Sequence, residues 1–400
     1  MKKTWKWKKR APTLESALGI LTLSLVLLAV AALAPAATGA KDKGPAAGEK
    51  VAYACPPCGM ACDGEVHDGP GACAGCGMRL VPKKSVRNVA ILVFDGVQII
   101  DYTGPYEVFG QGPYAVYTVS ESGETITTAM GMSVNPSYGF ADAPDPDVLI
   151  IPGGHVIEQQ NDADVIAWVR AKADNAEQVL TVCNGAFILA STGLLDGLKA
   201  TTFYGLLDEL AKFAPKVEVV WDRRYVDNGK IITSAGLSSG IDASLYVISR
   251  LQGKGAARAL ALHLEYDWNG DSDFARAALA DMLIPPMRPP EGADVEVLDT
   301  HGDRDGWVKT YGAAVSMPLG EIVKHVESEL KKGDWTRTGS RREDGSVVSS
   351  WSLADRGGRS WAAETRLRTV TPGERYWLRI ELRRVGSGET PVEVGSLLRW

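Results

Sequence analysis

Six cysteines in 400 residues fall into two groups with different chemistry. Five lie between Cys55 and Cys76, and the sixth, Cys183, stands alone. In the first group, Cys55-x2-Cys58 and Cys73-x2-Cys76 are two pairs about fifteen residues apart, each running into Gly-Met. That is the spacing of a four-thiolate metal knuckle, in which a tight backbone turn aims both thiolates of a pair at one ion. Cys62 and His67 are spare donors. Zinc is the first fit, and copper the second if the Met60 and Met78 thioethers join. Two disulfides are the alternative where the compartment is oxidising. Metal is the stronger reading, because residues 53–82 hold almost no apolar core and need a staple.

Cys183 follows the apolar run Gln178–Val182, and Asn184-Gly185-Ala186-Phe187 opens a helix behind it. A sharp turn between strand and helix presents one side chain at the edge of a sheet, the geometry of a nucleophile elbow. A helix N-terminus there stabilises negative charge and lowers a thiol pKa. The Asn184 N–H, with the Gly153-Gly154 backbone that ends another apolar run, would form an oxyanion pocket. A buried inert cysteine is the bland alternative.

The elements that must position these residues follow from periodicity. Val89–Phe94, Val148–Ile151, Gln178–Val182 and Lys230–Ser234 are short apolar runs of the kind that form buried parallel strands. Helical stretches at 162–173, 184–194, 204–213 and 239–252 alternate with them. The pattern predicts an α/β domain over 86–275 with a doubly wound, mostly parallel, flavodoxin-like sheet, whose sites form at the carboxyl ends of the strands. A small knuckle module occupies 50–84. Ile284-Pro285-Pro286-Met287-Arg288-Pro289-Pro290 lies in a linker over 276–294. Beyond it, 295–385 reads as a small α+β domain. A helix spans 319–331, and strands lie at 335–342, 347–353, 361–369 and 376–384, with Trp335, Trp351, Trp361 and Trp377 on one sheet face. Residues 386–400 form a tail.

The first forty residues are of another kind. Six basic residues precede an apolar run from Leu18 to Leu33, then Pro35 and small residues to Ala40. This is the layout of a secretory signal, or of an uncleaved anchor, since 17–37 is long enough to span a bilayer. Both place the rest outside the cytoplasm. Only the anchor implies membrane contact. The formal charge of −6 and the absence of a basic patch argue against nucleic-acid binding.

The longer segments carry family resemblances. Residues 53–82, with Tyr53-Ala54-Cys55-Pro56-Pro57-Cys58 at the start and Pro70-Gly71-Ala72-Cys73-Ala74-Gly75-Cys76-Gly77-Met78 at the end, resemble the heavy-metal-binding domain of bacterial efflux proteins. Cys58 stands where that family has histidine. The segments VAILVFDGVQIIDYTGPYEVF (89–109), DVLIIPGG (147–154), VCNGAFILASTGLLDGLKATT (182–202) and ITSAGLSSGIDASLYVI (232–248) resemble the ThiJ/PfpI superfamily of class I glutamine-amidotransferase-like domains. Isonitrile-hydratase-like members and the sensor halves of AraC-type regulators are nearest in pattern. The resemblance implies Cys183 as nucleophile and Asp101 as the acid that hydrogen-bonds it, with the carboxyl pKa raised and the thiol pKa lowered. Glu107 is a second candidate. Homodimers are implied by analogy alone. Relatives carry Ala-Thr-Thr-His-Trp after the elbow helix; here Phe203 replaces that histidine, with His155 as a substitute and His263 as a structural helix residue. The expected function is an exported cysteine hydratase, hydrolase or glyoxalase-like enzyme acting on a small electrophile. The alternative is a non-enzymatic metal or redox sensor, or a binding domain.

Overall fold

The computed structural model describes residues 51–57, 60–272 and 274–386. The export segment and the last fourteen residues of the tail lie outside them, as do Cys58 and Gly59. Among the described residues, no helix is long and apolar enough to cross a membrane.

The apolar runs do form the centre of a parallel sheet. β1 (Arg87–Leu92), α1 (Ile99–Gly110), β2 (Tyr114–Val119), β3 (Val148–Ile151), α2 (Ala163–Asn175), β4 (Gln178–Val182) and α3 (Gly185–Ser191) follow one another. α4 (Leu207–Phe213), β5 (Tyr225–Asp227), β6 (Ile231–Ser234), α5 (Ser239–Gln252) and α6 (Lys254–His263) complete the domain. The strand order is β5-β6-β4-β3-β1-β2, parallel except for the β5 edge. β3, β4 and β6 are buried along their whole length, which is why they read as unbroken apolar runs rather than alternating ones. Asp162 caps α2, its side chain accepting from the Asp164 and Val165 N–H groups at 2.8 and 3.1 Å. The order reverses beside β1, so the ends of β1 and β3 open a crevice at the carboxyl edge.

Residues 294–386 build a second core. β7 (Asp294–Gly302), β8 (Gly306–Ala314), α7 (Leu319–Lys331), β9 (Thr336–Glu343), β10 (Ser346–Ala354), β11 (Ser360–Thr371) and β12 (Arg375–Arg384) form an antiparallel sheet in the order β7-β8-β12-β11-β10-β9. α7 lies over one face, burying Ile322, Val326 and Leu330 with Trp335, Trp351 and Trp361. Trp377 is a correction. It pairs with Arg368 across β11, so it lies on the opposite face from Tyr376 and Leu378, beneath the Arg368 guanidinium at 5.0 Å. β7 and β8 escape the sequence reading. β7 is exposed at nearly every residue, and a bulge between Val297 and Asp299 breaks its alternation.

The two cores touch through polar contacts. Arg356, in the turn after β10, donates to both carboxylate oxygens of Asp208 on α4 at 2.7 and 3.2 Å and lies over Trp221. Arg304 donates to the Asp222 carbonyl at 3.1 Å. The Asp208–Arg356 pair is largely exposed, and such pairs contribute ~0–1 kcal/mol. It orients more than it stabilises.

Candidate active site

Four strand ends converge. Asp101, in the first turn of α1, follows β1; Gly153 and Gly154 follow β3; Cys183 follows β4; Gly236 and Leu237 follow β6. Cys183 takes φ = 57°, a left-handed conformation that costs a non-glycine residue ~1–3 kcal/mol and that aims its side chain off the sheet edge. The turn is held by its own backbone. The Cys183 N–H donates to the Ala235 carbonyl at 3.3 Å, and the Thr202 hydroxyl donates to the Cys183 carbonyl at 2.8 Å. Gly153 is required here, since a Cβ would stand 2.2 Å from Asn184 Oδ1 and 2.8 Å from Cys183 Cβ.

Asp101 is wholly buried. Its Oδ1 accepts the Leu237 N–H at 3.1 Å, and its carboxyl also faces the Cys183 thiol and the Gly153 N–H. Oδ2 is shielded from solvent and has no donor in close hydrogen-bond geometry. Burial raises the Asp101 pKa to about 6, against the lowering effect of its donors. The thiol does not fall as expected. Burial, then the Asp101 charge, pushes Cys183 up, and the Asn184 N–H only partly offsets this. The seven-residue α3 does not outweigh desolvation of a thiol that is 8% exposed. Above pH 6 the pair therefore rests as carboxylate and neutral thiol.

The expected oxyanion pocket is rearranged. The Gly154 N–H donates to Asn184 Oδ1 at 2.8 Å, while Asn184 Nδ2 donates to the Gly154 carbonyl at 2.8 Å. The Gly153 N–H faces Asp101. Only the Asn184 N–H points at sulfur. Glu107 is not brought to the site. It is exposed on α1 and accepts from Gln111 Nε2 at 2.7 Å. His155 rests over Gly96 and lines a cleft of about 790 Å³ with Asp95, Ile157, Glu158, Asn184 and Phe187. It makes no hydrogen bond to Cys183. His263 sits at the exposed end of α6, 3.3 Å from Gln111 Oε1. Phe203 does reach the site: its ring and Cys183 Sγ flank Gly236, where a Cβ would stand 2.7 Å from Phe203 Cδ2 and 3.2 Å from Sγ. Sequence reasoning missed Leu237, whose backbone donor anchors Asp101. Its only signal was the glycine before it.

The second thiol group also gathers. The Sγ atoms of Cys55, Cys62, Cys73 and Cys76 lie within 4.8 Å of one another, with Cys55 and Cys76 3.3 Å apart. A tetrahedral zinc with Zn–S near 2.3 Å needs sulfurs roughly 3.8 Å apart, so the four fit a thiophilic ion after a small adjustment. Cys62 thus stands with the expected ligands, packed against Gly75, and Cys58 falls outside the described residues. The Cys73 N–H and the Met78 carbonyl close the second knuckle at 2.8 Å. The Met78 N–H is the main cause that lowers the Cys76 pKa to about 7. His67 belongs to a separate group with Glu65 and Cys73. Met60 and Met78 are exposed.

A strained cysteine at a strand–helix turn, with a buried acid from the helix after the first strand, defines a nucleophile-elbow α/β protein. Residues 87–250 match the DJ-1/PfpI family. The isonitrile hydratase of Pseudomonas putida is 32% identical over 203 residues, 48% of this chain and 86% of that protein. A deglycase of Pyrococcus horikoshii is 29% identical over 161 residues, 39% of this chain and 90% of that one. The crystal structure of a THiJ/PfpI family protein from Pseudomonas syringae superposes at a TM-score of 0.43 and 30% identity, over 47% of this chain and 78% of that one. The chain belongs to the DJ-1/PfpI family.

Proposed function

We propose that this protein is an exported cysteine enzyme in which Cys183 attacks an electrophilic carbon of a small molecule. The observation that carries the reading is the buried Asp101 carboxyl facing a thiol held at a strained elbow. With an isonitrile, as the Sγ–carbon bond forms the thiol proton passes to Asp101 and on to that same carbon, which holds the electron pair, giving a thioimidate; with an aldehyde the proton goes to the carbonyl oxygen, and with an amide to the departing amine nitrogen as the C–N bond breaks. Asn184 N–H steadies charge on sulfur. Addition of water at the same carbon then expels Sγ and returns the thiol proton. The relative named isonitrile hydratase makes an isonitrile the first substrate to try; an aldehyde or an amide follows. The absence of a histidine beside Cys183 favours this two-residue chemistry over a triad.

The basic and apolar run of the first forty residues supports a location in the periplasm or outside the cell. The thiol cluster, with zinc as the first ion and copper as the second, would fold the N-terminal module around a metal that plays no part in the Cys183 step. A non-enzymatic metal sensor is the second reading, and the gathered thiols favour it. Oxidative sensing at Cys183 is disfavoured by its burial. The deciding experiment compares wild type with Cys183→Ser on a panel of isonitriles, aldehydes and amides. Turnover lost in the variant supports the enzyme. Turnover retained in the variant overturns Cys183 as the nucleophile, and turnover absent from both while metal loading alters stability supports the sensor.

A further inference from the structure

The C-terminal sheet domain is tied to the residue that walls the thiol. Phe203 flanks Gly236 opposite Cys183 Sγ. Its ring is backed by Tyr204, with centroids 4.4 Å apart. The Arg276 guanidinium lies over the other ring, 5.0 Å from the Tyr204 centroid. Arg276 is itself held by Asp281 through two bonds of 2.7 and 2.8 Å. Asp281 belongs to the short helical segment Ala280–Leu283, whose Ala280 N–H donates to the Asp303 carbonyl in the β7–β8 turn and whose Ala280 side chain is buried in the C-terminal core. A second contact ties the neighbouring helix to the same domain, where Arg356 bonds Asp208 and covers Trp221.

From this chain of contacts we infer that the C-terminal domain sets how wide a substrate reaches Cys183, by holding Phe203 in place through Arg276 and Tyr204. The inference rests on Cys183 being the reacting group. Arg276 is a positioning residue and Phe203 the specificity-determining one. A ring clamped from behind leaves a narrow entrance that passes thin electrophiles and turns away broad ones. Released, the ring swings and the entrance widens, while the thiol and Asp101, anchored on other strands, keep their reactivity.

The test measures alkylation of Cys183 in the full chain by iodoacetamide and by N-phenylmaleimide, with the modified site located by peptide mass. The ratio of bulky to small reagent rates should rise about tenfold in Arg276→Ala, the scale of one lost cation–π contact. Phe203→Ala should raise it as much, and the double variant should add nothing. Tyr204→Phe, which keeps the ring, should leave the ratio at the wild-type value, and Tyr204→Leu should repeat the Arg276→Ala result should that variant fold poorly. A wild-type ratio in both Arg276→Ala and Tyr204→Leu, beside a raised ratio in Phe203→Ala, overturns the brace but spares the nucleophile. A Cys183 silent to both reagents even in Phe203→Ala overturns the nucleophile reading, and the brace with it.

Discussion

An aspartate that ionises near pH 6 rather than 3.8 binds a proton in the native state that the unfolded chain has already released. Between those two values the folded protein loses stability as pH rises, by about 1.4 kcal/mol per unit and roughly 3 kcal/mol in all. Asp101→Asn should therefore flatten the stability curve between pH 4 and 6 and leave the variant the more stable of the two at pH 7, as chemical denaturation at several pH values would read. The same pair sets reactivity. In wild type the proton moves internally from sulfur to carboxylate, so alkylation of Cys183 should reach a plateau above about pH 6. In Asp101→Asn no such transfer exists, and the rate should climb about tenfold per pH unit toward the thiol's own raised pKa. A plateau in both proteins would detach Asp101 from the thiol.

Among the elements, the knuckle module offers the cleanest contrast. Titrated with Co(II), the chain should show sulfur-to-metal absorption for four thiolates. Cys62→Ser should lower that band by about a quarter. An unchanged band would leave Cys62 a spare donor beside the two CxxC pairs. Those pairs show how far spacing reaches. Pairs two residues apart are visible in a sequence, whereas Cys62 joins Cys55 only in the folded chain, where its side chain also packs against Gly75. The same limit applies elsewhere. The buried strands β1, β3, β4 and β6 were legible because burial on both faces leaves an apolar run. Helix α1 was not, because Gly104-Pro105 reads as a turn although Pro105 sits inside the helix. The elbow was visible from Cys183 between strand and helix. The Leu237 N–H, 136 residues from the Asp101 it anchors, leaves no trace in side-chain identity. Glu107 misled because sequence proximity to Asp101 says nothing about which side of a helix faces the sheet.

For the whole molecule, the expected export signal has a consequence for mass. Expressed with its own N-terminus and recovered from outside the cytoplasm, the chain should lack about its first forty residues, the extent of a signal segment. An intact mass of 42.8 kDa in the membrane fraction would mark an anchor instead. The C-terminal core has a different consequence, in what light would report. Of the eight tryptophans among the described residues, five belong to residues 294–386, and Trp335, Trp351 and Trp361 are fully enclosed there. Intrinsic fluorescence will therefore weight the melting of the antiparallel sheet above that of the layer holding Cys183, although Trp168 is buried there against Phe140. An emission curve alone would blend the two. Monitored beside thiol exposure, it becomes a two-colour gauge of whether the sheet and the layer holding Cys183 come apart together or in turn.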